Sequence, residues 1–417
     1  MTMTLKTALL LPLCAVSLLS ACARESTEPE PEPTTPEAPA LPAPDTSHDV
    51  ANYSTVIGWP EGKTPVAPAG FRVTKYADGL DSPRWLYVLP NGDVLVAEAA
   101  TENSADRITL LRDSDHDGTP DVRETFLQGL HQPLGMLLLG GHFYVANTDG
   151  VWRYPYENAP LSLRTSGQKL LELPAGGYNN HWTRNLLASA DGSKIYISVG
   201  SASNVAEHGL AEETRRANIL EMNPDGSGER IFASGLRNPV GMGWAPGTPT
   251  LWTVVNERDK LGDDLVPDYL TGVKEGGFYG WPFAYFGPNE DPRLAGQRPD
   301  LVSQTLVPDV ALGAHTASLG LAFYTGSAFA AKYQGGAFIG QHGSWNRSQL
   351  SGYKVAFVPF KDGRPSGAPE DFLTGFIANA AKSEVYGRPV GLAVLPDGSL
   401  LVADDGADVV WRVTAGN

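Results

Sequence analysis

Residues 113–124 read DSDHDGTPDVRE and carry side chains suited to binding a calcium ion. Acidic residues at the first, third, fifth, ninth and twelfth positions, with glycine at the sixth, reproduce the ligand spacing of a calcium loop. The predicted ligands are five carboxylates and one main-chain carbonyl, from Asp113, Asp115, Asp117, Thr119, Asp121 and Glu124. The flanking runs ITLLRD and ETFLQGL resemble strands, which predicts a structural calcium site at a β-hairpin tip. The alternative is a solvated acidic turn.

A second set of polar residues precedes recurrent apolar runs in NNHWTRN, GLRNPVG, GLHQPLG and YGRPVG. The set consists of His131, Gln132, His181, Arg184, Asn185, Arg237, Asn238 and Arg388. Any one of them could be a hydrogen-bonded structural group. Since they occupy one position of a repeated phrase, we expect them to converge on one face. Arginine and amide groups around a histidine suit a flat, multiply charged ligand with a proton acceptor beside it.

The repeated phrase predicts the elements that position these residues. In SPRWLYVLPNGDVLVAEA and RPVGLAVLPDGSLLVADD, apolar residues alternate on both sides of an Asn-Gly or Asp-Gly turn, which predicts β-hairpins. Copies start near Ser82, Gln132, Thr183, Asn238, Ser318 and Arg388. Repeats of this kind predict an all-β fold, a six-bladed β-propeller with residues 71–76 as its closing strand and an insertion at 259–310. A pair of β-sandwiches is the alternative.

Composition limits the possible functions. The 46 glycines and 33 prolines favour short strands joined by tight turns. The net charge of −16, without any stripe rich in lysine and arginine, excludes a nucleic-acid partner.

The N-terminus resembles a bacterial lipoprotein signal, predicted over residues 1–21. An apolar run after Lys6 ends in LSAC, so Cys22 is the expected site of lipid attachment; an ordinary secretory signal cleaved near Ala21 is the alternative. Cys14 lies inside the signal, which leaves no disulfide in the mature chain. The proline- and glutamate-rich residues 22–52 predict a disordered tether, and residues 53–417 the folded domain. We expect a periplasmic, lipid-anchored protein, with outer-membrane attachment favoured because no aspartate follows Cys22.

Several longer phrases carry a resemblance to a known family. They are GGYNNHWTRNLLASADGSKIYISVGSASN, GLRNPVGMGW, NERDKLGDDLVPDY, GGFYGWPFAYFG, HGSWNRSQLSGYKV and GRPVGLAVLPDGSLLVADD. From about residue 70 onward, the chain resembles the sorbosone dehydrogenase family, within the soluble pyrroloquinoline quinone (PQQ) dependent glucose and aldose sugar dehydrogenases. The resemblance implies a six-bladed propeller, PQQ and Ca²⁺ as cofactors, an aldose or sugar aldehyde as substrate, and a respiratory cytochrome or quinone as electron acceptor.

The resemblance also implies residue roles. His181 matches the catalytic base of a His-x-x-Arg phrase that includes Arg184. Arg237 and Asn238 match residues that contact the quinone oxygens of the cofactor in that family, and Arg237 is also an implied catalytic residue. The other implied cofactor contacts are Gln132, Arg184, Arg347 and Arg388. The glucose enzymes of that family bind a carboxylate of the cofactor with a lysine that has no clear equivalent in this sequence. Arg347 is the residue assigned to that role here.

The segment NERDKLGDD matches the loop that holds the cofactor's calcium in that family. The carbonyls of Asp259 and Lys260 are the implied ligands. The alternative is a purely structural calcium bound by Glu257, Asp263 and Asp264, or a solvated turn. Two other functions remain open: a non-catalytic envelope propeller that binds glycans or proteins, and a calcium-dependent lactonase, which would need acidic ligands around a channel metal.

Overall fold

A computed structural model describes residues 1–2, 40–47 and 50–416. The predicted lipid-attachment site at Cys22, the apolar signal run and the tether as far as residue 39 lie outside the described residues. Within them, strands predominate, and no helix is long and apolar enough to cross a membrane. The helical segments described are the α-helix Pro299–Gln304 and the 3₁₀ turns Pro292–Leu294, Ala331–Tyr333 and Ala380–Lys382. The all-β prediction is confirmed.

The described chain contains six four-stranded antiparallel sheets, numbered here in chain order. Sheet 1 comprises Pro83–Val88, Val94–Glu98, Arg107–Arg112 and Val122–Gln128. Sheet 2 comprises Gly135–Leu139, His142–Asn147, Gly150–Pro155 and Gln168–Glu172. Sheet 3 comprises Arg184–Ala188, Ile195–Val199, Asn218–Met222 and Arg230–Ser234. Each predicted phrase begins at, or up to three residues before, the first strand of one sheet.

The remaining sheets hold the later phrases. Sheet 4 comprises Pro239–Trp244, Leu251–Val255, Pro267–Gly272 and Val310–Ala314. The predicted insertion at 259–310 contains the third of these strands, and the longest connection, residues 273–309, follows it. Sheet 5 comprises Ser318–Phe323, Ala337–Gln341, Lys354–Val358 and Glu370–Leu373. Sheet 6 comprises Pro389–Val394, Leu400–Asp404, Val409–Ala415 and, from the other end of the chain, Phe71–Ala77. Shorter strands outside these sheets are Thr55–Val56, Ala284–Tyr285, Asn289–Glu290, Phe360–Lys361, Arg364–Pro365, Ile377–Asn379 and Glu384–Val385.

The predicted hairpin turns are present. Pro83–Val88 pairs with Val94–Glu98 across the Asn-Gly turn. Gly92 in this turn has a φ of 90°, a backbone angle that residues other than glycine rarely adopt. The Asp-Gly turn at Gly398, with a φ of 83°, joins the first two strands of sheet 6 in the same way. The second strand of each hairpin, Val94–Glu98 and Leu400–Asp404, is buried along its whole length.

The order of the sheets is cyclic. The first strand of each sheet contacts the first strand of the next, and the first strand of sheet 6 contacts that of sheet 1. The predicted closing strand is confirmed, because Phe71–Ala77 pairs antiparallel with Val409–Ala415. One sheet is thus completed by residues from both ends of the domain.

Hydrophobic clusters fill the spaces between neighbouring sheets. Tyr144 of sheet 2 packs in one cluster with Ile197 of sheet 3, and Trp252 of sheet 4 packs in another with Ile339 of sheet 5. Burial of both faces explains why the central strands are almost wholly apolar. The sheets hold one another in place, so the loops at their ends have fixed positions.

The chain before the first sheet is hydrogen-bonded to the rest of the domain. Asp45 N–H donates to the Leu261 carbonyl at 3.0 Å, and Asn52 N–H donates to the Trp345 carbonyl at 2.7 Å. The segment that contacts the folded domain therefore begins before Tyr53, the predicted start of the domain.

Candidate active site

A cavity of about 560 Å³ lies where the first strands of the sheets begin. Its lining includes residues at or just before these strands, namely Arg84, Thr183, Asn238, Leu319 and Arg388. His181 and Arg237 also line it. The structure thus brings together four of the residues selected by their shared position in the repeat. Among the described lining residues, none comes from the start of sheet 2.

His181 is held in one tautomer. Its Nδ1 lies 2.9 Å from the Ser201 carbonyl oxygen and 3.0 Å from Ser201 Oγ, which itself donates to the Ser203 carbonyl at 2.7 Å. Both neighbours of Nδ1 are acceptors, so Nδ1 carries the proton and Nε2 keeps its lone pair. Burial, reinforced by the charge of Arg237, holds the pKa of His181 well below its usual value. The imidazole is therefore neutral, with an acceptor nitrogen in a residue that lines the cavity.

Arg184 is buried outside the cavity lining. Its guanidinium donates to the carbonyls of His181 at 2.7 Å, Thr183 at 2.9 Å and Pro174 at 2.8 Å, and to Asn179 Oδ1 at 3.2 Å. These acceptors engage Nη1 and Nη2, while Nε has no partner among the described residues. Arg184 does not line the cavity, so the structure does not place it at the predicted cofactor contact. The residue instead fixes the main chain that carries the base.

Arg237 is almost completely buried and still reaches the cavity. Its guanidinium donates to the Glu257 carbonyl at 2.6 Å, Asn204 Oδ1 at 2.9 Å and Asp259 Oδ2 at 3.3 Å. The neighbouring Asn238 Oδ1 is buried, and none of the described residues supplies it with a hydrogen-bond partner. Arg237 is thus held rigidly, while the Asn238 amide keeps hydrogen-bonding capacity beside it.

At the junction of sheets 5, 6 and 1, Arg388 joins a partly buried group, Arg84, His342 and Asp405, that was not predicted. His342 Nε2–H donates to Asp405 Oδ1 at 2.7 Å, and Arg84 also donates to that carboxylate. Burial and Arg388 lower the pKa of His342 to about 4, so its ring is neutral. Arg388 Nε and Nη2 donate to the carbonyls of His342 and Gly343, each at 3.1 Å. The sequence could have indicated Arg84, because in SPRWLY it lies close to the position that Arg388 occupies in the matching phrase RPVGLAV.

Two of the predicted cofactor contacts lie elsewhere. Gln132 does not line the cavity, and its Nε2 donates to the Ala100 carbonyl at 2.9 Å. Arg347 is also outside the lining and donates to Asp264 Oδ1 at 2.7 Å. Neither residue lines the cavity in this structure, and their cofactor contacts stay predictions. Lys260, expected to contribute a carbonyl, lines the cavity in place of Arg347.

The predicted calcium ligand at Asp259 is contradicted. Its carbonyl accepts from Asn204 Nδ2 at 3.1 Å and from Arg293 Nη1 at 2.9 Å, which uses both lone pairs. Its carboxylate faces Arg237 and His315, with Oδ1 3.1 Å from His315 Nδ1. Asp259 is therefore part of a hydrogen-bonded wall. The ligand role of the Lys260 carbonyl stays a prediction.

The alternative acidic calcium set is also wrong. Buried Glu257 accepts from Arg258 Nε at 3.0 Å, Asp263 accepts from Ser348 N–H at 3.0 Å, and Asp264 pairs with an arginine. The three carboxylates do not form a group close enough to hold one metal ion. Among the described residues, three side chains able to bind a metal lie close enough together to hold one ion. They are Asp113, Asp115 and Asp117.

That cluster lies at the predicted hairpin tip, between two strands of sheet 1. The three carboxylates offer oxygens within 4.8 Å of one another. Main-chain N–H groups of the same loop point toward them, including Gly118 N–H to Asp113 Oδ2 at 2.8 Å. Arg412 of sheet 6 donates to the Gly118 carbonyl at 3.0 Å, so the loop is tied to the sheet that joins the two ends of the domain.

Only part of the predicted ligand set assembles there. Asp121 accepts from Ser114 N–H at 2.7 Å and from the Ser114 hydroxyl, and it closes the neck of the loop. Glu124 lies in the strand Val122–Gln128, opposite Leu110. Thr119 N–H donates to Asp117 Oδ1 at 2.8 Å. The ligand roles of Asp121 and Glu124 are therefore corrected, because the loop runs directly into an antiparallel ladder instead of a helix.

Comparison with known proteins gives a family. The TrAA12-like family model matches residues 65–267 and 301–416. The chain belongs to the TrAA12-like family.

Similar proteins include relatives from a bacterium and from fungi. An uncharacterized protein of Borreliella burgdorferi is 27% identical, over 83% of this chain and 89% of that protein. A pyrroloquinoline quinone-dependent sugar dehydrogenase of Hypocrea jecorina is 25% identical over 53% of this chain, and the match spans 57% of that enzyme. A pyrroloquinoline quinone-dependent pyranose dehydrogenase of Coprinopsis cinerea is 23% identical over 82% of this chain, spanning 54% of that enzyme.

Solved structures share the fold of this member of the TrAA12-like family. The calcium structure of the Trichoderma reesei family AA12 protein superposes with a TM-score of 0.71 at 22% identity, covering 84% of this chain and 97% of that one. The holo form of the pyranose dehydrogenase PQQ domain from Coprinopsis cinerea also has a TM-score of 0.71, at 21% identity, covering 87% and 100%. A PQQ-bound aldose sugar dehydrogenase from Streptomyces coelicolor has a TM-score of 0.57 at 20% identity, covering 84% and 99%.

Calcium should stabilise the hairpin loop. We expect calcium to raise the melting temperature of the wild type, because ligand at about 100 times its Kd adds about 2.7 kcal/mol to the free energy of unfolding. The double variant Asp115→Asn, Asp117→Asn should lose most of that calcium-dependent rise, measured by calorimetry with and without chelator. Asp78→Asn, an exposed acid outside the loop, is the control. An unchanged calcium response in the double variant would rule out this site.

The two buried histidines of the cavity should show opposite protonation. Burial alone would lower the pKa of His315, but Asp259 and the Gly262 carbonyl raise it above its usual value. ¹⁵N NMR at pH 6 should therefore show neutral His181 with its proton on Nδ1, and protonated His315. The low pKa of His181 implies loss of stability as pH falls below about 6.5, since the unfolded chain then takes up the proton first. Titration of His181 near pH 6.5 in the folded protein would contradict this assignment.

Proposed function

We propose that this protein is a PQQ-dependent dehydrogenase that oxidises an aldose or a sugar aldehyde such as sorbosone. The observation that carries the proposal is a neutral histidine, His181, with an acceptor nitrogen in the lining of a cationic cavity. The proposal agrees with the relatives described above, which are dehydrogenases that depend on PQQ and act on sugars or pyranoses. We further propose that the six sheets are the blades of a six-bladed β-propeller.

The cavity suits the chemistry of PQQ, a flat ortho-quinone that carries several carboxylates. Four cationic residues line it, namely Arg84, Arg237, Lys260 and Arg388, against the acidic Glu207 and Asp259. An excess of cations in the cavity of a chain with net charge −16 favours an anionic ligand. The unpartnered Asn238 oxygen and Arg84 Nε add polar capacity that a ligand can satisfy. Arg84, Lys260 and Arg388 would hold the carboxylates, while Arg237 and Asn238 would contact the quinone end.

The residues of the chain divide the work of oxidation. His181 Nε2 takes the proton from the hydroxyl on the carbon that is oxidised, because its lone pair is available at neutral pH. Ser201 keeps the proton on Nδ1, and Arg184 fixes the main chain that carries the ring. Arg237 provides positive charge next to the base and disfavours its protonation before substrate arrives. When bound, PQQ supplies the acceptor for the hydride that leaves the same carbon.

Calcium has two proposed roles. The Asp113, Asp115 and Asp117 loop would bind a structural ion, because none of its residues lines the cavity. A calcium ion that accompanies PQQ would polarise the quinone. The Lys260 carbonyl is the remaining protein ligand proposed for that second ion.

The alternative functions have less support. A calcium-dependent lactonase needs carboxylates around a metal in the cavity, but the Asp259 carboxylate contacts Arg237 and His315. A non-catalytic glycan-binding or protein-binding propeller would not require a histidine held in one tautomer beneath a cationic wall. Transfer of electrons to a respiratory cytochrome or quinone is part of our proposal. The lipid anchor at Cys22 and the periplasmic, outer-membrane location stay predictions.

Reconstitution tests the proposed activity. The purified chain, loaded with PQQ and Ca²⁺ and given a panel of aldoses, should reduce bound PQQ, measured by its absorbance in single turnovers. His181→Asn should lower that rate by about a hundred- to ten-thousand-fold, the usual contribution of a general base. PQQ loading should change little, since the cationic residues remain.

His131→Asn is the matched control, because His131 occupies the same position in the repeat but lies outside the cavity. We expect wild-type rates from it. Full-rate reduction in the His181 variant would remove His181 from the mechanism. Failure of the wild type to reduce PQQ with every aldose and sugar aldehyde tested would refute the proposed activity.

PQQ titration can decide which cation holds the cofactor. Lys260→Gln should raise the Kd for PQQ by about ten- to a hundred-fold, since a hydrogen bond to a charged group contributes about 1.5–3 kcal/mol. Arg347→Gln should bind as the wild type does, because Arg347 pairs with Asp264 outside the cavity. The reverse pattern would restore Arg347 as the carboxylate ligand.

A further inference from the structure

The chain before the first sheet forms a strap across the loops beside the cavity. This N-terminal strap, residues 50–57, is fixed mainly through Asn52. Its N–H donates to the Trp345 carbonyl at 2.7 Å, its Nδ2 donates to the Ser348 carbonyl at 3.1 Å, and its Oδ1 accepts from Ser383 Oγ at 2.5 Å. The strap then continues as the strand Thr55–Val56, which pairs in parallel with Glu384–Val385. Its position is therefore set by hydrogen bonds to two separate loops.

The strap brings one aromatic side chain to the cavity. Tyr53 stacks on Trp345, with ring centroids 5.5 Å apart and planes 9° from parallel, and both residues line the cavity. Tyr53 nevertheless remains 69% exposed. The hydrogen bonds of Asn52 already hold the strap, so its attachment does not depend on burial of the Tyr53 ring. A large, flat and exposed aromatic surface next to a polar cavity is typical of a surface that a ligand covers.

We propose that Tyr53 is a specificity-determining residue that, together with Trp345, forms a flat platform for the apolar face of a pyranose ring. The hydroxyl groups of a pyranose project mostly around its edge, while its C–H bonds leave the two faces apolar. Stacking of such a face on parallel aromatic rings removes apolar surface from water, and the polar groups of the cavity remain available to the hydroxyls. Tyr178, whose ring lies 3.9 Å from that of His208 at a tilt of 39°, is a further aromatic residue in the cavity lining. This inference rests on the proposed function and names the segment of chain that selects the sugar.

The test compares Tyr53→Ala, Tyr53→Phe and the control Ile57→Ala in the full-length, PQQ-loaded protein. Ile57 is also on the strap and exposed, but it does not line the cavity. With the best aldose of the panel, Tyr53→Ala should raise KM about three- to tenfold with kcat nearly unchanged, because the stacking surface is lost while the chemistry remains. Tyr53→Phe should restore KM, since it keeps the ring. Equal melting temperatures would show that the fold is intact.

A binding measurement separates this inference from the proposed function. The methyl glycoside of the same sugar is not oxidised at its anomeric carbon, and its binding to the apoprotein is measured by saturation-transfer NMR. Tyr53→Ala should weaken that binding by a similar factor, even if PQQ-dependent turnover were absent from the wild type. Sugar oxidation with identical KM in wild type and Tyr53→Ala would overturn the platform and leave the proposed activity standing. A fall in kcat alone would also overturn it.

Discussion

The antiparallel pairing of Phe71–Ala77 with Val409–Ala415 is the constraint on which the rest of the structure depends. It completes sheet 6 with residues from both ends of the domain, and the first strand of that sheet then contacts sheet 1. This contact brings Arg84, near the start of the domain, beside Arg388, near its end. The contacts of the partly buried Asp405 with Arg84 and His342 therefore depend on completion of the cycle of sheets.

Charge is distributed unevenly in this protein. The chain as a whole is strongly acidic, yet Arg237, which lines the cavity, and Arg184, next to the cavity-lining Thr183, are both buried. Burying these cations is costly unless acceptors surround them. Arg184 and Arg237 meet that requirement mainly with main-chain carbonyls, which cannot be titrated away. Burial is the main reason that the imidazole of His181 is neutral, and the positive charge of Arg237 reinforces it.

The calcium loop and the N-terminal strap illustrate two ways in which segments outside the strands become ordered. The loop is fixed by internal Asx-type hydrogen bonds and by Arg412 from the neighbouring sheet. The strap is fixed by Asn52 and by a short parallel strand pair. Both segments lie against sheet 6 or the loops that precede it. Elements remote in sequence are therefore concentrated around the junction where the chain ends meet.

Local patterns in the sequence determined the strands, the hairpin turns, the closing strand and the positions of the six repeats. They succeeded because apolar alternation and Asn-Gly or Asp-Gly turns depend on residues close together in the chain. Equivalent positions in the repeat likewise selected His181, Arg237, Asn238 and Arg388, since equivalent positions meet where the sheets meet. The sequence also located the acidic loop at a hairpin tip.

Only the tertiary structure decided which polar side chains face the cavity and which are used elsewhere. Arg184 and Arg237 occupy similar positions in two copies of the repeated phrase, and both are buried. Arg237 lines the cavity, whereas Arg184 does not. Gln132, Arg347 and Asp259 were assigned by resemblance, but nearby donors and acceptors from distant segments occupy their polar atoms. Lys260 lines the cavity from a loop, Arg84 from the first strand of sheet 1, and Tyr53 through docking of the strap. These outcomes depend on partners far away in sequence, because a buried polar group takes the hydrogen bond that the completed fold offers it.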